Sequence, residues 1–156
     1  MTRAIEGRWG SREVEISTVE FRGRNGQPAH VFQSGDPVEI RLQVRARRPV
    51  SDLVFGVGIF NADGVCCYGT NTAIEGATSG AMSGEGQVRF TVDRLDLVEG
   101  TYLVDVAAHR QDGAPYDYHR LLHTLRVVSP LKETGIFRPP HRWTFEGDIR
   151  ITGLDR

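Results

Sequence analysis

Apolar residues recur at every second position through most of this chain, and that period admits strands and little else. Val38, Ile40, Leu42 and Val44 alternate with Glu39, Arg41, Gln43 and Arg45, and Val88, Phe90 and Val92 alternate with Gln87, Arg89 and Thr91. Each series reads as a half-buried strand of an antiparallel sheet. Val14 and Ile16 alternate with Glu13, Glu15 and Ser17, after which Val19 and Phe21 resume one residue out of phase, so a bulge is expected near Ser17 or Thr18. Turn signals separate the runs at Arg24-Asn25-Gly26, Ser34-Gly35-Asp36-Pro37, Ala62-Asp63-Gly64 and Gln111-Asp112-Gly113. No segment sustains a helical period. The pattern predicts an all-β, immunoglobulin-like Greek-key β-sandwich of about seven to nine antiparallel strands with very little helix. Ala73 to Gly86, rich in glycine and serine, is expected to be a long mobile loop.

The segment Leu97-Val98-Glu99-Gly100-Thr101-Tyr102 matches a tyrosine corner. There a tyrosine entering a strand bonds its hydroxyl to backbone just upstream and locks the crossover between sheets. Leu97 is expected to fill the core under the arch and Gly100 to permit the turn. This makes Tyr102 structural and not a ligand contact.

Composition narrows the function classes. The chain has 156 residues and a net charge of −1, with a pI near 6.5, so no global basic field attracts nucleic acid. Arg45-Ala46-Arg47-Arg48 reads as a solvated strand face. No apolar run approaches the roughly 20 residues that span a bilayer, and no signal sequence opens the chain. Cys66 and Cys67 are adjacent, so in a strand they point to opposite faces, and a reduced cytoplasmic chain is the simpler reading.

Catalytic signatures are missing. There is no Gly-x-Ser-x-Gly elbow, no His-Glu-x-x-His pair, no Cys-x-x-Cys and no phosphate-cradling Gly-x-x-x-x-Gly-Lys loop. His119 and His123 share a face of one strand but are expected about 13 Å apart, too far to hold one ion. No metal and no cofactor is implied. What the residues do suggest is a polar, aromatic platform. With Tyr102, Val104, Val106 and Ala108 facing the core, Leu103, Asp105, Ala107 and His109 face outward. Tyr116, Tyr118 and His119 bracket Asp117 in the next strand, and Gly56 and Gly58 leave one face of their strand open to close approach. Sugars stack their C–H faces on such rings and pair their hydroxyls with acids, amides and imidazoles. The same pattern fits aromatics that cap the sandwich and acids that keep it soluble, and both readings stand at this point.

Several ordered motifs carry a family resemblance. Arg8-Trp9-Gly10-Ser11 opens into a Val-x-Ile strand, and Phe32-x-Ser34-Gly35-Asp36-Pro37 precedes Val38–Val44. Phe55-Gly56-Val57-Gly58-Ile59 and Asp63-Gly64 lead to Tyr68-Gly69-Thr70-Asn71-Thr72. Gly100-Thr101-Tyr102, Val106-Ala107-Ala108-His109, Asp112-Gly113 and Tyr116-Asp117 come after them. From about Trp9 to Trp143 the chain resembles the C-terminal carbohydrate-binding domain of the Wzt-type ATPase subunit of O-antigen polysaccharide exporters. The resemblance implies a non-catalytic domain that binds the lipid-linked O-polysaccharide on the cytoplasmic side of an inner-membrane ABC exporter. Its implied partners are the glycan, an ATPase domain and a membrane transporter subunit, with a homodimer formed by exchange of C-terminal strands. The ATPase half is not in this sequence.

The expected organisation is a linker at 1–8, the sandwich at 9–145 and a tail of unassigned role at 146–156. Alternation places the expected sugar face at Tyr68, Asn71, Asp105, His109, Tyr116, Asp117 and His119. Competing readings are a dimerisation or docking module that meets protein, and a hydrolase using Asp105 and Asp117 as an acid pair. The arm after Val128, stiffened by Pro139-Pro140 and carrying Ile136, Phe137, Trp143 and Phe145, is the expected dimer clasp.

Overall fold

The computed structural model describes residues 7–154 and forms nine strands and no helix among them. They are β1 (Arg8–Trp9), β2 (Val14–Arg22), β3 (Val31–Gln33), β4 (Val38–Val50), β5 (Val54–Asn61), β6 (Cys66–Asn71), β7 (Met82–Val92), β8 (Gly100–His109) and β9 (Pro115–Val128). One sheet runs β1-β9-β8-β5-β6, with β3 on the far half of β9; the other runs β2-β4-β7. Residues 1–6 of the expected linker and 155–156 of the tail lie outside the described residues.

The alternating runs become the strands, and their apolar halves meet between the sheets. Val14, Ile16, Ile40, Leu42, Val104, Val106, Leu125 and Val127 are each no more than 1% exposed. The phase slip in β2 is a register shift between Ile16 and Thr18 against β4. The extra residue lets Phe21 reach the core that Val14 and Ile16 also face.

Three expectations need correction. One strand pair is parallel: Val31, Phe32 and Gln33 of β3 run alongside Arg126, Val127 and Val128 of β9. The Ala73–Gly86 stretch is a loop only up to Ala81, because β4 is long enough to pair with Met82 and with Gly84 through Gly86. A ladder needs backbone and not side chains, so glycines there do not prevent it. In the corner, Leu95 and Val98 are the buried residues and Leu97 is only half-buried.

The tyrosine corner itself forms. The buried Tyr102 hydroxyl donates to the Val98 carbonyl at 2.7 Å, tying the start of β8 to the chain that has just crossed from β7. Gly100 has no unusual backbone angle; its missing side chain leaves room for the Tyr102 ring, 3.5 Å from where a Cβ would stand.

Candidate functional site

Register decides which side chains can meet on the outer face of the larger sheet. Gly56 pairs with Ala107 and Asn71, and Gly58 pairs with Asp105 and Gly69. On the far side Ala107 pairs with Tyr118, and Tyr118 pairs with Trp9. Paired residues point the same way. A line of small residues therefore crosses β8, β5 and β6 and floors a trough of about 210 Å³, with the Phe60 ring lying over Gly58. From Tyr118 to Asn71 it spans three strand spacings, about 14 Å, which accommodates a short stretch of sugar chain.

Each wall offers different chemistry. At one end Trp9 stacks on Tyr118 with ring centroids 4.8 Å apart and planes 14° from parallel. The Tyr118 hydroxyl donates to Asp105 Oδ2 at 2.9 Å. Burial, then this bond to a carboxylate, pushes the phenol up to about 12, so it remains a neutral donor. At the other end, Asn71 Oδ1 accepts the Ile74 N–H at 2.8 Å, which leaves the amide NH₂ uncommitted. His109 Nδ1 lies 2.6 Å from the Arg110 carbonyl, a group that can only accept, so Nδ1 carries the hydrogen. The remaining Nε2 is 3.9 Å from the position a Cβ on Gly56 would take, and so looks over the trough. An acceptor and a pair of donors thus face two aromatic rings across a glycine floor.

Of the seven residues expected on this face, the structure brings together Asn71, Asp105 and His109. Asp105 lies beneath Tyr118 and is 4% exposed. Its second oxygen accepts the Leu121 N–H at 2.7 Å, so it positions the wall and does not line the opening freely. Tyr68 pairs with Ile59 and so faces the other way, into the gap that opens where β6 hangs past the three-stranded sheet. That gap is walled by Ile59, Phe90, Leu95 and Leu97, with few polar groups to meet hydroxyls.

Tyr116, Asp117 and His119 also point inward, a correction: Asp117 and His119 alternate with the outward Tyr118, and an irregularity turns Tyr116 the same way. A shift between Ala108 and His109 inserts Tyr116 as an extra residue, and Ala108, on the core side, pairs with Asp117. Tyr116 is 2% exposed and donates its hydroxyl to the Asp52 carbonyl at 2.7 Å. Asp117 is fully buried, accepting Arg8 Nε and Nη2, both at 2.9 Å, and the Ile16 N–H at 2.8 Å. Burial alone would raise its pKa, but the bonds from His119, Arg8 and Ile16 together hold it far below the usual carboxylate range.

A second irregularity lies further along β9. Val106 pairs with His119 but Val104 pairs with His123, so four steps of β9 face two of β8. The surplus turns at Leu121, whose φ of 55° is left-handed, and the Asp105 bond to its N–H pins that turn. His119 Nδ1 and His123 Nε2 consequently sit 3.0 Å apart, not the expected 13 Å. Burial, followed by the positive fields of His119 and Arg8, pulls His123 down to about 4. The two rings share one hydrogen bond, and His119 Nε2 rests 3.3 Å from Asp117 Oδ1. Among the described residues no group of three His, Cys, Asp or Glu side chains is placed to hold a metal.

Asp105 and Asp117 therefore lie on opposite faces of one sheet, and they cannot act on the same bond as an acid pair. Trp9 is the residue that sequence reasoning did not assign to the face, and Tyr118, grouped with the aromatic platform, was not among the seven expected there. Trp9 carried no local signal, because its partner is distant in sequence.

The architecture defines an all-β sandwich whose larger sheet carries an open face of aromatic and polar side chains. Residues 6–139 match the family model described as the Wzt C-terminal domain, and the chain belongs to that family. It is 33% identical over 133 residues to the O-antigen export system ATP-binding protein RfbB of Myxococcus xanthus. The match takes in 85% of this chain but only 30% of that protein. A solved structure, the crystal structure of the C-terminal domain of wzt, superposes with a TM-score of 0.80 at 22% identity, covering 89% of this chain and 87% of the other. At that identity the superposition speaks for the fold. No helix among the described residues is long and apolar enough to cross a membrane.

Proposed function

We propose that this domain is a non-catalytic carbohydrate-binding module that recognises O-antigen polysaccharide at the trough, on the cytoplasmic side, for an ABC exporter. The observation that carries the reading is the trough's composition: a glycine and alanine floor between the Trp9–Tyr118 stack and the polar pair of Asn71 and His109. A pyranose ring laid on that floor presents C–H groups to Tyr118 and hydroxyls to Asn71 Nδ2 and His109 Nε2. The name of the Myxococcus relative supports O-antigen export as the setting. Most of the exposed apolar surface, which would favour a protein partner, falls elsewhere: Phe137, Trp143, Ile149, Ile151 and Leu154 are each more than half exposed and belong to the C-terminal arm. The test is calorimetric titration with O-polysaccharide from the source organism. Binding should weaken about tenfold in Tyr118→Ala, the loss of a stacking ring. Unchanged affinity in that variant, with the fold intact, removes the trough from consideration.

The arm supplies the proposed homodimer contact. Its first part folds back on its own domain, since Ile136 packs on the core and Phe137 bridges to Leu97, so the clasp begins later than the sequence suggested. Beyond it Ile149 and Ile151 alternate with Asp148, Arg150 and Thr152, a strand pattern without a strand partner. β7 pairs only with β4 and leaves its other edge open. A second copy offers each arm an edge to join. Light scattering should give twice 17.4 kDa for the full chain and a monomer after truncation at Arg138. A full-length monomer at micromolar concentration rules out the clasp.

A further inference from the structure

A second cluster of charge, separate from the trough, lies beyond the corner at which β8 starts. Val98 N–H donates to the Ile136 carbonyl and Arg138 N–H to the Asp96 carbonyl, both at 2.8 Å, so the arm runs as a short rung against the corner. This sets Arg138 beside Arg94. Pro139-Pro140 then turn the chain so that His141, Arg142 and Trp143 close the same space, a cavity of about 530 Å³ that Leu154 also lines. Two of the guanidiniums are held in place by acids. Arg94 gives Asp96 two bonds, at 3.3 and 3.0 Å, and Arg138 lies 2.8 Å from Glu133. Arg142 pairs with no carboxylate among the described residues. Three guanidiniums against two carboxylates leave a positive excess, on a chain whose overall charge is −1.

We infer that this cavity binds a phosphate ester whose phosphate meets the arginines and whose body lies against Trp143. Guanidinium forks converging from different parts of the chain suit a group with three or four acceptor oxygens better than a carboxylate with two. A cavity this large exceeds what a bare anion fills, and the indole, 70% exposed, offers a ring or alkyl body an apolar flank. Two sources carry this chemistry: a sugar phosphate and a phospholipid headgroup. The site shares no residue with the trough, so it stands or falls separately from glycan binding there.

The experiment uses the full chain and three probes: inorganic phosphate, a hexose 1-phosphate, and vesicles of phosphatidylcholine with or without phosphatidylglycerol. Phosphorus NMR line broadening reads the soluble probes and cosedimentation reads the vesicles. The hexose 1-phosphate should broaden more than inorganic phosphate, and Arg142→Gln and Arg94→Gln should each weaken binding about tenfold, the value of one charge-assisted bond. Arg47→Gln, on the exposed end of β4, should change nothing. Vesicle binding that needs phosphatidylglycerol and Arg142, with silent soluble esters, assigns the phosphate to a lipid headgroup. Silence from all three probes at millimolar concentration overturns the inference. So does binding that survives the Arg94→Gln, Arg142→Gln double variant while the fold is unchanged.

Discussion

Replacing Asp117 with alanine separates the two roles a carboxylate in this region could have. Read from alternation, Asp117 touches the sugar, and its loss abolishes binding without disturbing the fold. The structure gives it a different task. Its side chain is fully buried and receives two bonds from Arg8 and one from the Ile16 N–H. Removing one member of such a pair leaves a guanidinium and an amide short of acceptors, at a cost of about 3–5 kcal/mol. A domain of this size is stable by about 5–15 kcal/mol, so the melting temperature should fall by roughly 6–20 °C. Urea unfolding followed by tryptophan fluorescence measures the change, with glycan titration run where the variant is still folded. Arg8→Ala should cost a similar amount, and the double variant less than the sum, because the two residues share one interaction. An Asp117→Ala protein that unfolds within about 1 kcal/mol of the parent, yet no longer binds glycan, refutes this assignment.

Other substitutions probe separate layers of the structure. Tyr102→Phe strands the Val98 carbonyl and should cost about 1–3 kcal/mol by the same unfolding assay, with binding intact. Gly56→Val should fold normally, because the added Cβ meets nothing nearer than 3.5 Å, but its methyls fill the trough and calorimetry should detect no glycan binding. Stability should fall in acid. His123, held down to about 4, stays neutral in the fold while the unfolded chain protonates near 6.5, so its contribution drains as pH drops between those values. Asp117, depressed in the fold, adds a further loss once pH falls below the ordinary carboxylate range. Urea midpoints at pH 7, 5.5 and 4.5 should decline in order, and a flat series contradicts the buried network.

The fold was legible wherever one strand's own pattern sufficed. The slip after Ser17, the corner at Tyr102 and the bare outer positions of Gly56 and Gly58 all appear in the structure as local rules anticipate. The candidate site was less legible because β9 departs from regular pairing, and because Asp117 and His119 alternate with Tyr118 and so take the opposite face. That strand holds an extra residue at Tyr116, which breaks the alternation of faces, and two more between His119 and His123, which keep the faces but bring the two histidines together. Nothing in the chain near Leu121 announces a left-handed turn, since leucine gains nothing from one. The determinant is Asp105, 16 residues away. The Gly69-Thr70-Asn71-Thr72 run is mostly architecture: Thr72 Oγ1 accepts the Phe55 N–H, Thr70 donates to Glu75, and Asn71 caps the turn at Ile74. Only the Asn71 amide NH₂ is left for a ligand.

The two carboxylates that alternation groups on one sugar-binding face instead divide a single task between the two faces of a sheet. On the outer side Asp105 fixes the Leu121 turn with one oxygen and orients the Tyr118 ring with the other. On the inner side Asp117 draws Arg8 onto β9, and Arg8 fixes the two-residue strand β1 in register. That register is what lays Trp9 against Tyr118. A strand of two residues has too few ladder bonds to hold its place alone. The buried ion pair supplies the missing constraint, at a point where it takes no polar group from the open face. The aromatic wall is thus positioned by charges that do not themselves line the trough, which leaves Asn71 and His109 as the polar groups free to meet the proposed glycan.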